Sequence, residues 1–112
     1  MEPTAARAGP PGGTTATLDG LLAHHAEAVV VHSPAAARLW PDSAGLLRGK
    51  PTLREFWTEG LRLVPDLRFE VLAVFAGADT IVINQRDQTG RLAAEVFTLR
   101  GGLTVRAVGA IA

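Results

Sequence analysis

The sequence contains no cysteine, which excludes disulfide bridges, thiolate metal ligands and a cysteine nucleophile, and which suits a reducing cytoplasm. It has no excess charge either, because eleven basic residues balance eleven acidic ones. A nucleic-acid or anionic-membrane binder is expected to carry a basic surface. Residues 1–17 lack a continuous apolar run, so neither a signal peptide nor a membrane span is predicted. We therefore expect a cytoplasmic protein with a small or uncharged partner.

The chain length and its 47% hydrophobic content predict one domain with a core of its own. The stretch MEPTAARAGPPGGTTAT, residues 1–17, shows no hydrophobic period and contains a Pro-Pro-Gly-Gly break, so a disordered or loosely attached arm is expected there. The ordered domain is expected at residues 18–112. Its first helix follows Thr17, with Leu18, Leu21, Leu22 and His25 on one face.

The remaining segments predict a second helix and several strands. A β-branched run, Val29 to Val31, indicates a strand that stops at Pro34. Residues 35–50 have no clean period and are expected to form a loop with a turn or short strand. The stretch PTLREFWTEGLRLV, residues 51–64, has an apolar stripe and a favourable first-turn proline. Gly60 interrupts this helix, which suggests close packing against that turn.

Four runs of β-type sequence complete the chain, within residues 67–77, 80–88, 91–100 and 103–112. The tight turns between them predict an antiparallel meander, and the element order is that of an α+β domain. Apolar residues occupy both faces of the strands around Ile83 and Ala94. Two helices cover one face only, so we expect a homodimer through the other sheet face.

Three segments then resemble the SnoaL-like branch of the nuclear transport factor 2-like superfamily, over about Leu18 to Ile111. They are the Arg-Gly-Lys step at residues 48–50, the Pro-Asp-Leu turn at 65–67, and Glu-Val-Phe at 95–97 before a glycine hairpin. The resemblance implies a curved antiparallel sheet wrapped by helices into a cone, an apolar pocket at its wide end, and frequent dimerisation. The superfamily includes isomerases, cyclases, hydrolases, a dehydratase and non-enzymatic binding proteins, so the fold alone does not select a function.

This sequence departs from its relatives at three places. The long first helix of the family is shortened, because the residues before Leu18 cannot form its first turns. Gln85 stands where related sequences often have tyrosine, and Val108 stands where they often have histidine. By analogy with the family, the strand face that carries Gln85 is expected at the pocket. The ligand-binding candidates are Gln85, Val108, Trp40, Trp57 and Arg106.

Glu95 is the first catalytic candidate, because a carboxylate in mid-strand between apolar residues must be paired or must have a raised pKa. A raised carboxyl is suited to act as a general base. The alternative is a structural ion pair with Arg106 on the last strand. His32, at a strand end, and Asp42, in a loop, are further candidates, for which a strand end and a turn are the structural alternatives. No metal site and no cofactor are expected.

Two ambiguities remain in the sequence. The polar end of the second strand of the meander, Asn84 to Asp87, is either the floor of a site or the way in which the strand reaches its turn. Trp57 is expected in the core, whereas Trp40 either caps a pocket or covers the core edge. The sequence thus predicts a binding protein for a small hydrophobic molecule. An isomerase, cyclase or hydratase-type enzyme and a degenerate or partner-dependent domain are the alternatives.

Overall fold

The computed structural model describes residues 18–112, so the predicted arm at residues 1–17 and the predicted cap at Thr17 lie outside the described range. The described chain is an α+β domain. Its elements are helix α1 (Leu18–Ala23), strand β1 (His25–His32), helix α2 (Pro34–Leu39), a 3-10 turn (Pro41–Ser43), strand β2 (Leu46–Arg48), helix α3 (Lys50–Leu63) and strands β3 (Phe69–Ala76), β4 (Thr80–Asp87), β5 (Leu92–Arg100) and β6 (Leu103–Ile111).

The strands form one six-stranded sheet in the order β2-β1-β6-β5-β4-β3. Strands β3 to β6 are an antiparallel meander, as the tight turns predicted. Strand β1 lies parallel to β6 and antiparallel to β2, which makes the sheet mixed. The parallel pairing is possible because the long connection from β1 to β6 carries the chain around the whole domain.

The core lies between the helices and one half of the sheet. Its buried side chains come from the three helices and from β1, β2 and β6: Leu22, Val29, Val31, Ala36, Leu47, Leu53 and Ala107. The helices contact β1, β2 and β6. We call the sheet face toward the helices the inner face and the opposite one the outer face.

Helix α2 differs from the predicted loop at residues 35–50. Ser33 caps it, since its hydroxyl accepts a hydrogen bond from the Ala36 backbone N–H at 3.3 Å, and Pro34 occupies the first turn. Ala36 is completely buried against the core. The short alanine-rich segment has no visible period, because only one of its side chains is fully buried.

Two local predictions for the helices are wrong. His25 does not continue α1, which ends at Ala23, but begins β1. A methyl group built at Gly60 would meet nothing within 4 Å, so no close packing explains that glycine. Within residues 18–112, no helix is long and apolar enough to cross a membrane.

Candidate functional site

The described helices pack mainly on β1, β2 and β6, and on the inner face of β5 Phe97 packs against the same core, so the inner face is least covered toward β3 and β4. Cross-strand register defines the side chains on this face. Ile83 is opposite Glu95, and Glu95 is opposite Gly109, while Phe97 is opposite the buried Ala107. Directly opposed residues of antiparallel strands share a face. Glu95 therefore points to the same side as the core.

The Glu95 carboxylate is half-buried among apolar groups and backbone. Its Oε2 atom would lie 3.5 Å from a Cβ built at Gly109, and that position is 3.7 Å from the His32 carbonyl oxygen and 3.8 Å from Pro34 Cδ. Among residues 18–112 no hydrogen bond or ion pair is found for this carboxylate. Burial raises the pKa of Glu95 above its ordinary value. Such a carboxyl can donate a hydrogen bond when protonated and accept a proton when ionised.

Arg106 does not pair with Glu95, so the predicted structural ion pair is wrong. Arg106 is opposite Thr98 on β5. Because Thr98 is an odd number of residues from Glu95, the exposed Arg106 side chain belongs to the outer face. Alternation along a strand sends neighbouring side chains to opposite faces. The inner face therefore offers Glu95 no arginine from β6.

His32 and Val108 are neighbours in the parallel β1–β6 register and also lie on the outer face. The pattern of burial along β1 agrees, because Val29 and Val31 are buried whereas His32 is only partly so. His32 and Glu95 are thus on opposite sides of the sheet. Arg106 and Val108 remain predicted ligand contacts, and they would require a ligand on the outer face.

Asp42 and the two tryptophans occupy structural positions. Asp42 is exposed in the 3-10 turn. Trp40 packs at the core edge with its ring 5.7 Å from that of Phe56, edge to face, and Trp57 packs similarly on the buried His25 ring at 5.4 Å. Trp40 thus packs at the core edge and also lines an open depression beside α3, so both alternatives for this residue remain.

The polar end of β4 divides between the two faces. Gln85 shares the inner face with Ile83, whereas Arg86 is on the outer face, 3.7 Å from the exposed Glu70 carboxylate. Asp87 accepts hydrogen bonds from Thr89 Oγ1, at 2.6 Å, and from the backbone N–H groups of Thr89 and Arg91. These bonds, led by the Thr89 hydroxyl, lower the pKa of Asp87. Arg86 and Asp87 therefore end the strand, and only Gln85 is left for an inner-face site.

Two open depressions on the described surface are lined by residues other than Glu95. One, of about 460 Å³, runs along the β3–β6 end of the sheet and includes Asn84 and Gln85 in its lining. The other, of about 450 Å³, lies between Trp40 and the exposed face of α3. We place the candidate site at Glu95 rather than in either depression, because its carboxyl has a raised pKa and lies on a largely apolar face of the sheet.

The sequence indicated Glu95 as a candidate but did not indicate which residues of other strands surround it. Gly109 gives the carboxylate its place beside the backbone, and Val74, opposite Ile83, extends the apolar inner face to β3. Alternation along β5 identifies Phe97 and Ala93 as neighbours of Glu95, but partners on other strands depend on register. Within residues 18–112 no cluster of three or more His, Cys, Asp or Glu side chains could hold a metal ion.

Comparison with known proteins gives one family. The sequence profile of the SnoaL-like domain matches residues 14–109. No curated protein matches the sequence at a significant level. Among solved structures, a SnoaL-like protein of unknown function from Burkholderia thailandensis is 36% identical, with a TM-score of 0.82 over 90% of this chain and 85% of that one.

More distant structures share the fold alone. A nuclear transport factor 2-like protein of unknown function from Mesorhizobium loti is 20% identical, with a TM-score of 0.68 over 88% of this chain and 80% of that one. TerC, in a crystal with polyporic acid, is 16% identical, with a TM-score of 0.74 over 90% of this chain and 83% of that one.

Proposed function

Because the chain belongs to the SnoaL-like domain family, we propose that it binds a small hydrophobic molecule on the inner face of the sheet, next to Glu95. The observation that carries this proposal is a half-buried carboxyl with a raised pKa, at the margin between the core and the apolar part of the inner face on β3 and β4 that the helices cover least. A ligand with apolar surface and one polar atom matches this combination.

The apolar part of the ligand would rest on the strands beside Glu95. Val74, which is opposite Ile83 on the inner face, is 58% exposed and is therefore free to contact a ligand. Covering apolar surface of this kind stabilises a complex by roughly 25 cal/mol for each Å² removed from water. Gln85, farther along β4 on the same face, offers an amide to a second polar atom of the ligand.

The polar part of the ligand would meet Glu95. A protonated Glu95 donates a hydrogen bond to a carbonyl or hydroxyl oxygen, and an ionised Glu95 accepts one from a hydroxyl group. The fold also accommodates organic ligands elsewhere, since TerC was crystallised with polyporic acid. These features support binding without requiring a reaction.

Catalysis at the same carboxyl is the second candidate function. In its ionised form, a carboxyl with a raised pKa can act as the general base of an isomerase, cyclase or hydratase, and in an isomerase or cyclase it takes up the proton removed next to a carbonyl group. Glu95 is favoured over the other predicted bases because Asp42 is in an exposed turn and His32 is on the outer face. A degenerate or partner-dependent domain is the remaining alternative.

A second copy of the chain is the proposed protein partner. The outer face carries exposed large apolar side chains, among them Phe75, Val96 and Val108. A monomer would leave them in water, and an apolar patch of this size is typical of an interaction surface. We therefore retain the predicted homodimer through this face.

The first experiment is a thermal-shift screen of the full chain against steroids, polyketide-like aromatics and terpenoid epoxides. A ligand that binds only the folded protein raises its melting temperature. Ile83→Lys, which places a charge beside Glu95, is expected to abolish the shift. Glu70→Gln, on the outer face, is the matched control for Glu95→Gln and should leave it unchanged.

The two candidate functions differ in what Glu95→Gln does. If Glu95→Gln retains the ligand-induced shift but loses turnover of that ligand, the carboxyl is the base. If both proteins bind and neither turns over any hit, the protein is a binder. An absence of shifts in every protein would contradict the proposed site and favour the partner-dependent alternative.

A further inference from the structure

The strands around Glu95 place no positive charge beside its carboxylate. The arginines of strands β3 to β6 all belong to the outer face, and they are Arg86, Arg100 and Arg106. Arg100 is on that face because it follows the outer-face Thr98 by two residues. The inner face of these strands therefore offers Glu95 apolar side chains and amides but no basic group.

The described helices supply no basic partner to Glu95 either. Helix α2, which reaches this part of the sheet through Pro34, has one basic residue, Arg38, whose side chain is exposed. The two arginines of α3 pair with carboxylates elsewhere, those of Asp19 and Glu59. Among residues 18–112, the ion pairs found all exclude Glu95. A positive charge for this carboxylate would have to come from a bound molecule.

The polar atoms close to the carboxylate are hydrogen-bond acceptors. A Cβ built at Gly109 would lie 3.5 Å from Glu95 Oε2 and 3.7 Å from the His32 carbonyl oxygen, so two oxygens border the same point. The His32 imidazole is on the other side of the sheet. Gln85, farther along the inner face, adds an amide with one more acceptor oxygen. A ligand group with several N–H donors matches these surroundings better than a group that only accepts.

We propose that the ligand held beside Glu95 is a hydrophobic amine, whose ammonium group pairs with the carboxylate while its apolar part lies on Ile83 and Val74. An ammonium group has three donors and no acceptor. It also supplies the positive charge that an ionised carboxylate needs when it is removed from water. A hydroxyl group donates one hydrogen bond and leaves that charge uncompensated. This inference rests on the proposed function and adds the chemical class of the ligand.

The charge of Glu95 makes amine binding depend on pH in a direction that identifies it. An amine pairs with the ionised carboxyl, so its affinity should fall as the pH is lowered through the folded-state pKa of Glu95, which burial raises. An alcohol can bind the protonated carboxyl, so its affinity should not fall. Asp87 is the other titratable side chain on the inner face of β4, and its pKa is lowered by the bonds to Thr89 and Arg91, so it stays ionised while Glu95 titrates.

The test is isothermal titration calorimetry of the full chain with three probes that share one apolar group: 1-naphthylmethylamine, 1-naphthalenemethanol and 1-naphthoic acid. At pH about 7.5 the amine should bind at least about tenfold more tightly than the alcohol, because hydrogen bonds between charged groups are about twice as strong as neutral ones. The acid should not bind, since it brings a second negative charge to Glu95. Between pH about 7.5 and about 5 the amine affinity should decrease, by up to about tenfold for each pH unit below the pKa of Glu95.

Glu95→Gln is the variant that removes the proposed ion pair. It should weaken amine binding at least about tenfold more than it weakens alcohol binding, and it should remove the pH dependence of amine binding. Glu70→Gln, on the outer face, is the matched control and should leave the affinities of both probes unchanged. Circular dichroism melting of both variants confirms that they are folded.

The contrary results separate the amine from the site. If the alcohol binds as tightly as the amine, or if Glu95→Gln leaves amine binding unchanged, the ligand class is wrong and the inner-face site still stands. Preferential binding of the acid would also overturn the amine. If none of the three probes binds, the amine is overturned, and the thermal-shift screen, run without amines, decides the proposed function separately.

Discussion

At the residue scale, two buried ionisable groups give opposite contributions to the pH dependence of stability. Burial raises the pKa of Glu95 and lowers that of His25. The contribution of Glu95 to the free energy of unfolding is complete below the pKa that this carboxyl has in the unfolded chain. It is lost as the pH rises through the folded-state pKa and the carboxyl ionises. For His25 the loss occurs in the other direction, as the pH falls. Each group therefore favours the fold only while it is uncharged.

His25 gives a pH-dependent prediction. Its Nδ1–H donates to the Leu21 carbonyl oxygen at 2.7 Å, and its ring packs edge to face with Trp57. Burial is the main cause of its lowered pKa; the bond to Leu21 opposes it, and the charges of His24 and Lys50 add to it. The contribution of His25 to the free energy of unfolding should therefore be complete above pH about 6.5 and fall as the pH drops through the folded-state pKa.

Urea unfolding between pH 8 and pH 5 measures this effect. The difference in stability between the wild type and His25→Gln isolates the contribution of His25 from that of Glu95. It should shrink as the pH falls, because Gln does not titrate. His32→Gln, at a partly exposed position on the outer face, is the control. Equal pH profiles for the wild type and His25→Gln would show that burial does not perturb His25.

At the element scale, helix α3 contains a glycine without a structural need. Gly60 has a free methyl position and lies within the helix, three residues before its end. Gly60→Ala should therefore increase the free energy of unfolding by about 1 kcal/mol, because alanine loses less backbone entropy on folding. Chemical denaturation of the two proteins checks this value.

Gly49, which precedes α3, is the control for that prediction. Its φ of 87° lies in the left-handed region, where an L side chain is strained. Gly49→Ala should therefore decrease the free energy of unfolding, by about 1–2 kcal/mol. A loss of stability in Gly60→Ala would mean that this turn of the helix requires glycine for a reason outside the described contacts.

At the scale of the whole molecule, the helices are held to the sheet by a small core on one half of the domain. Leu53 is completely buried in it, with Val29 and Leu47. Leu53→Ala should lower the free energy of unfolding by about 3 kcal/mol, which is a large fraction of the 5–15 kcal/mol typical of domains. Thermal and urea unfolding measure the loss.

Leu63, on the same helix but 48% exposed, is the matched control. Leu63→Ala should change the free energy of unfolding by less than about 0.5 kcal/mol. Similar losses at both positions would show that the buried cluster around Leu53 is not the cooperative core of the domain. The contrast follows from the uneven cover of the sheet, whose β3–β5 half has apolar side chains on both faces.

The sequence by itself determined the elements whose signals are local. The meander followed from tight turns between β-type runs, and α3 from an apolar stripe behind Pro51. Glu95 was identifiable as a site candidate because a carboxylate among apolar strand residues is costly wherever the strand lies. The polar end of β4 also followed local rules, since Asp87 closes the turn through Thr89 and Arg91.

Only the tertiary structure decided which side chains meet. Register placed Glu95 opposite Gly109 and sent Arg106 to the outer face, a choice that a shift of one residue would reverse. The parallel pairing of β1 with β6, which puts His32 on the outer face beside Val108, joins segments far apart in the chain. Such contacts depend on the packing of the whole sheet, whereas turns and helical stripes depend on neighbouring residues. That difference in range explains why the fold class was predictable and the composition of the site was not.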